Sequence, residues 1–248
     1  MRRYLLPLIF LSICPLFLPL SSKAQFRIDV ESGAAFTGYN KIQVPGTSGT
    51  RFDLSEELDV DDRFFYRVKL LYTINGKHTI AALYAPLSIT AQGVTNEQIS
   101  FAGSSFAEGE ALNTRYEFNS YRLTYRYLFP RKGDFQLGLG ATAKIRDALI
   151  RIEDDEKSAA KTNVGFVPLI NFQLEWFAKE KLSFLLQGDA LVSTQGRAED
   201  VLLAALFYPS RNVTLKAGYR VLEGGADSDE VYNFTLIHYA LIGGIINF

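Results

Sequence analysis

Charged side chains recur at every second position along several stretches of this chain, and both signs fall on the same side. Asp29, Glu31, Glu117, Glu175 and Asp189 share that side with Arg67, Lys69, Arg122, Arg126, Lys144, Arg146, Lys216 and Arg220. Charges gathered in an interior must pair, because an uncompensated buried ion is costly. The set therefore reads first as an internal salt-bridge network. Its basic excess admits a second chemistry, the binding or passage of small anions. A further constellation lies at the ends of neighbouring stretches: Asp147, Arg197, Glu199, Asp200, Glu223, Asp227, Asp229 and Glu230. Clustered carboxylates can hold a divalent cation or do acid–base work. No ligand-spaced loop of the EF-hand kind accompanies them, so a solvated rim is the simpler account. The sequence has two histidines, His78 and His238. Neither has an adjacent Asp or a Ser two residues away, and a lone His in an apolar strand is more often a packing residue than a catalyst.

The elements that must position these groups are strands. Residues 135–151 alternate most clearly, with Phe135, Leu137, Leu139, Ala141, Ala143 and Ile145 opposite Gln136, Gly138, Gly140, Thr142, Lys144 and Arg146. Such a period of two marks a strand with two unlike faces. The same reading predicts strands over 26–38, 63–74, 78–92, 113–129, 164–177, 182–194, 201–208, 213–221 and 231–248. In 78–92 it turns Leu83, Ala85, Leu87 and Ile89 to the apolar outer side. Pro168 predicts a bulge, and 201–208 is apolar on both faces with no clear register. Asn75-Gly76 has strong hairpin chemistry. Short connections near 75, 130, 179 and 209 alternate with longer ones near 40, 94, 153 and 223. The small residues opposite the apolar face, Gly138, Gly140, Gly165 and Gly218, suit a crowded interior rather than a solvated sheet. Apolar side chains out and polar side chains in describe a membrane barrel of about ten antiparallel up-and-down strands.

The first 24 residues have the pattern of a secretory leader. Arg2 and Arg3 precede an apolar run broken by Pro7, Pro15 and Pro19, and Ser22-Lys23-Ala24 forms a small-x-small cleavage site. Removing Arg2, Arg3 and Lys23 takes the 26 basic side chains to 23, against 27 acidic ones. That balance is no nucleic-acid footprint. The single Cys and the single Met both lie in the leader, so residues 25–248 have no thiol chemistry and no disulfide.

The last eighteen residues, VYNFTLIHYALIGGIINF, carry no Lys, Arg, Asp or Glu and finish on Phe248. β-Branched and aromatic residues favour a strand there, and the Gly243-Gly244 pair disfavours a helix. A terminal aromatic on such a strand resembles the signature by which bacterial outer-membrane β-barrel proteins are read by their insertion machinery. Residues 25–248 as a whole resemble small outer-membrane barrels. The phrases FNSYRLTYR (118–126), TAKIRD (142–147), KTNVGFVP (161–168) and GRAEDV (196–201) resemble barrel proteins of the Bacteroidota type. The resemblance implies fold and location, with lipid, lipopolysaccharide and the insertion machinery as partners and a further envelope protein as another. It implies no cofactor; the acidic outer rim admits a divalent cation, including one bridging to lipopolysaccharide. Strand number alone resembles the omptin proteases, whose Asp pair and Asp–His pair have no counterpart in this pattern. The leading expectation is a non-enzymatic barrel with a structural or surface role, or a subunit of an envelope assembly. A narrow anion channel and a rim hydrolase acting on lipid or peptide are the alternatives.

Overall fold

The computed structural model describes residues 25–61, 63–194 and 196–248. The leader over residues 1–24 lies outside the described residues. Ten long strands form the wall: β1 (Gln25–Gln43), β2 (Arg63–Ile74), β3 (His78–Ala85, resumed as Ser88–Val94), β4 (Ala111–Leu128), β5 (Phe135–Glu153), β6 (Ser158–Lys179), β7 (Leu182–Ser193), β8 (Gly196–Phe207), β9 (Val213–Asp227) and β10 (Tyr232–Asn247). Each pairs antiparallel with its neighbours in sequence. β10 closes the ring against β1, from Arg27↔Asn247 to Gln43↔Tyr232, with one bulge at Thr37/Tyr39. Closure lets backbone groups bond between strands instead of facing lipid. At the β2–β3 turn Asn75 and Gly76 both take positive φ, 54° and 66°, as a two-residue hairpin requires.

The outer surface carries a broad apolar belt that includes Phe64, Leu70, Leu123, Leu139, Ile145, Phe166 and Leu203. Aromatic residues cluster at the inner end: Phe26 meets Phe248 at 5.8 Å and Trp176 meets Phe184 at 5.6 Å between ring centres. Tyr208, at the same end, instead turns its hydroxyl inward and donates to Glu175.

Two strand assignments differ from the sequence reading. In β3, Leu83, Ala85, Leu87 and Ile89 point inward and are buried, while Ile80 and Tyr84 face out. Both faces of that strand are apolar, so alternation alone did not fix which was which. Pro168 makes no bulge: it stays in register opposite Ala143. Instead the ladder between β6 and β7 ends close by, at Ile170↔Ala190. β6 runs on to Ser158 with β5 as its partner. A residue with no N–H donor is tolerated where a strand has become an edge.

The strands also run further outward than alternation suggested. β5 and β6 pair as far as Glu153↔Ser158, where Asp154 accepts backbone N–H bonds from Glu156 and Lys157 at 2.8 and 2.7 Å. Past Ile145 the two faces exchange character. Ile150, Ile152 and Ala159 are buried inside, and Arg151 is exposed outside. That is the pattern of a wall standing in water. The apolar interior so created is filled by residues 44–61 and 95–110. A short helix, Leu54–Glu57, and a small hairpin, Ile99–Phe101 with Ser104–Phe106, fold into the mouth. Phe52, Leu54, Ile99, Phe101 and Phe106 are buried there against Ile42, Leu112, Tyr116 and Ile152. Thr50 N–H donates to the Ser100 carbonyl and Ala102 N–H to the Val44 carbonyl, both at 2.9 Å, tying the two segments together.

Candidate functional site

Below that cap the barrel interior is crossed by a continuous ion-pair network. Glu31 of β1 accepts from Arg220 of β9 at 2.7 Å and from Lys216 at 2.8 Å, with Arg67 of β2 at 3.6 Å. Lys216 also donates to Asp29 at 2.5 Å. Asp200 of β8 accepts from Arg67 at 2.9 Å, from Arg122 of β4 at 2.6 Å and from Arg220 at 2.5 Å. Arg122 reaches on to Asp189 of β7 at 2.8 Å, and Thr142 and Asn171 each donate to the other Asp189 oxygen at 2.7 Å. Asp200 is 3% exposed, and its cationic partners are buried with it. Ion pairs across the lumen thereby fasten six of the ten strands to one another, and the bonds from Thr142 and Asn171 add β5 and β6.

Toward the inner end, Ser183 and Tyr208 donate to Glu175 at 2.6 and 2.5 Å. Arg126 donates to Asn171 at 3.3 Å. The Gln187 amide, turned as its neighbours require, accepts from Arg126 at 3.0 Å and from Lys69 at 3.3 Å. Toward the outer end, Arg146 donates to the Asn163 side chain. Lys144 lies over the Phe118 ring at 4.6 Å.

Two residues occupy other places than the sequence suggested. Asp200, expected on the outer rim, is the hub of the lumen. Its neighbours Arg197 and Glu199 face outward, and one step along a strand reverses the face. Glu117, expected inside, shares the outer face with Tyr121 and pairs with Arg115 near the outer end of β4. The remaining rim residues are spread rather than convergent. Asp147 lies on the outer face of β5 beyond Ile145. Glu223 takes both Arg197 Nε and Nη2, at 2.8 and 2.7 Å, and the Tyr39 hydroxyl also donates to it. Asp227 and Asp229 are exposed near the β9–β10 turn, and Glu230 pairs with Lys161 at 3.0 Å. Among the described residues no group of three or more His, Cys, Asp and Glu side chains is arranged to hold a metal ion. His78 and His238 both face outward, each bonded through Nδ1 to a tyrosine hydroxyl, Tyr125 and Tyr219.

Partial burial pushes the Glu223 carboxyl up, but the hydrogen bonds from Arg197 and Tyr39 outweigh it and hold the group below the usual carboxylate range. In the cap, Glu57 moves the other way. Burial raises it, and the acidic neighbours Glu97, Asp53 and Glu56 add to the effect against a single N–H from Asp53.

The fold that carries this interior is a closed ten-strand antiparallel barrel of the bacterial outer-membrane type. The outer membrane protease OmpT of Escherichia coli superposes with a TM-score of 0.56 at 10% identity, over 90% of this chain and 97% of that one. Neisserial surface protein A aligns over 90% of this chain and 97% of its own at 16% identity, TM-score 0.36. OprG of Pseudomonas aeruginosa aligns over 92% and 97% at 11% identity, TM-score 0.36. The sequence matches no protein-family model and no curated protein.

Proposed function

We propose that this protein is a non-conducting outer-membrane barrel whose work is done at its outer face, as a structural or surface-interaction protein or as a subunit of an envelope assembly. The supporting observation is the pair of carboxylates at Asp200 and Glu31, which hold Arg67, Arg122, Arg220 and Lys216 across the lumen. A ten-strand barrel is little wider than one filled by its own side chains. Above the network the apolar cap stands in the same path. In this reading the leader is removed near Ala24, and the chain enters the outer membrane through its last strand, with Phe248 as the recognised residue. Lipid and lipopolysaccharide surround the belt, the latter meeting the acidic rim through divalent ions. The interior network is structural, and a protein partner meets the outward extension of β4 to β6. The four phrases noted in the sequence support a place among Bacteroidota-type barrels.

The cation excess of the lumen favours one alternative, a narrow path for small anions. Planar-bilayer recording separates the two. The closed barrel gives no unitary steps. Anion-selective steps that disappear in Arg122→Ala or Lys144→Ala would overturn it. A hydrolase at the rim finds no support in the two histidines, each of which is bonded through Nδ1 to a tyrosine hydroxyl and not to an acid. Co-purification from native membranes tests the assembly reading: a stoichiometric envelope partner is expected under that form of the proposal, and a purely structural role gives none.

A further inference from the structure

The wall of the barrel has a notch, and a cavity lies behind it. β7 extends only to Ser193, three residues past its last pairing with β6, whereas β6 continues twelve residues further, to Ser158. One flank of the notch is Gly165 to Pro168 on β6. The other is Leu191, Gly196 to Ala198 and Glu223 to Ala226, above the short β7–β8 turn. The cavity measures about 390 Å³, within the range of small-ligand sites, roughly 300–1,000 Å³. The network that includes Asp200 closes the lumen beneath it, and the cap closes the mouth above.

The height of the notch follows from the flanking side chains. Phe166, 67% exposed, pairs with Ile145, 49% exposed, and both point outward. The next outward pair, Asp147 with Val164, marks where the apolar belt gives way to polar surface. On the other flank Arg197, Glu199 and Glu223 face outward as polar surface, so the notch opens at the upper edge of the apolar belt, where the outer leaflet meets the rim. Inside it the chemistry changes sign. Lys144 lines the cavity at 3% exposure, and among the described residues no carboxylate pairs with it. Its one close neighbour of note is the Phe118 ring. Arg146 lines the same space and is bonded to an uncharged amide, Asn163. The one carboxylate lining the cavity, Glu223, is held by Arg197, so buried Lys144 and half-buried Arg146 have no carboxylate bonded to them, and an anion between them would offset their desolvation.

From these observations we infer that the notch and cavity form a lateral binding site for a single-chain anionic amphiphile drawn from the outer leaflet. The anionic head sits against Lys144 and Arg146, and the hydrocarbon chain leaves over Pro168 and Phe166 into lipid. Lateral entry rests on the lumen being closed, as proposed above. Conductance tests that closure, and ligand binding tests this site, so the two can fail separately.

The experiment is equilibrium binding of radiolabelled palmitate to the purified barrel in phosphatidylcholine nanodiscs, corrected for empty discs. Wild type is expected to bind saturably, one per barrel. Lys144→Met and Lys144→Gln, which keep most of the length of the side chain, should weaken binding about tenfold or more, the scale of a charge-assisted hydrogen bond. Val167→Trp, which fills the cavity from its inner face, should abolish it, and Lys77→Met on the exposed inner turn should leave it unchanged. Resistance of each folded barrel to unfolding in cold dodecyl sulfate shows which variants are fit to compare. Hexadecyl phosphate should displace the label, whereas hexadecanol and inorganic phosphate should not. Displacement by inorganic phosphate alone would replace the lipid with a free anion and overturn the lateral source. Unchanged binding in a folded Lys144 variant, or in folded Val167→Trp, would overturn the site itself.

Discussion

Asp200 and Arg122 meet across the lumen at 2.6 Å, one from β8 and the other from β4, nearly opposite in the ring. The same carboxylate also holds Arg67 and Arg220. Three guanidinium groups thus share one carboxylate. Replacing it with Ala leaves them crowded on the two that remain, Glu31 and Asp189. Loss of one partner of a buried pair costs about 3–5 kcal/mol, and Asp200→Ala should cost at least that, read from urea unfolding of the refolded barrel. Removing Arg122 as well should recover part of the loss, because the two changes share a network and do not add. Additive losses would show that the network is not acting as one unit.

The cap should fail separately from the barrel. Phe101 is 0% exposed in the apolar mouth. Phe101→Ala is expected to cost about 3–5 kcal/mol of packing, expressed as protease cleavage within 44–61 and 95–110 while the strands survive. A variant whose strands unfold in step with its cap would mean that cap and barrel are one cooperative unit.

Two carboxyl groups at the outer end give opposite pH responses. Glu57 is raised in the folded protein, so its contribution is present below the ordinary glutamate range and is lost as pH rises through the raised value. Glu223 is lowered, so its contribution is present above that range and is lost as pH falls through the lowered value. Amide exchange in 52–58 should therefore quicken as pH climbs out of the carboxylate range, after correction for the intrinsic rate, and Glu57→Gln should abolish the change. The Arg197 side chain should become mobile only at the acid end, and Glu223→Gln should remove that dependence. Parallel responses at the two sites would contradict these assignments.

Gly140 has no room for a side chain against β4. A Cβ built there would stand 1.9 Å from the Tyr125 carbonyl oxygen, a backbone atom that cannot swing aside. Gly140→Ala should therefore destabilise the barrel by about 1–3 kcal/mol, the usual cost of overpacking. A neutral result in urea unfolding would show that the two strands can part there without penalty.

Much of the wall was readable from alternation because lipid outside and polar groups inside put unlike residues on successive positions. β5 is the clear case: its lumen-facing Thr142 and Lys144 and its outward Leu139 and Ile145 were assigned from the sequence alone. Legibility failed where both faces were apolar, as in β3. It failed again where a strand left the membrane and its apolar face turned inward without a break in period, as beyond Ile145. Asp200 shows the limit for the site. A residue near the end of an apolar run, beside Arg197 and Glu199, looks like rim, and a single step of register carries it to the centre. The end of the β6–β7 ladder has a local trace in Pro168, but pairing is a relation between strands, and one strand's sequence does not state it.

The chain contains a single tryptophan, and the barrel places it at a useful depth. Trp176 sits on the outer surface near the inner rim, stacked between Phe135 at 6.3 Å and Phe184 at 5.6 Å. Its emission spectrum is thus an unlabelled optical gauge of how far β6 has been laid into the bilayer. Lipids brominated at graded depths would quench it in an order that gives the seating of the whole molecule.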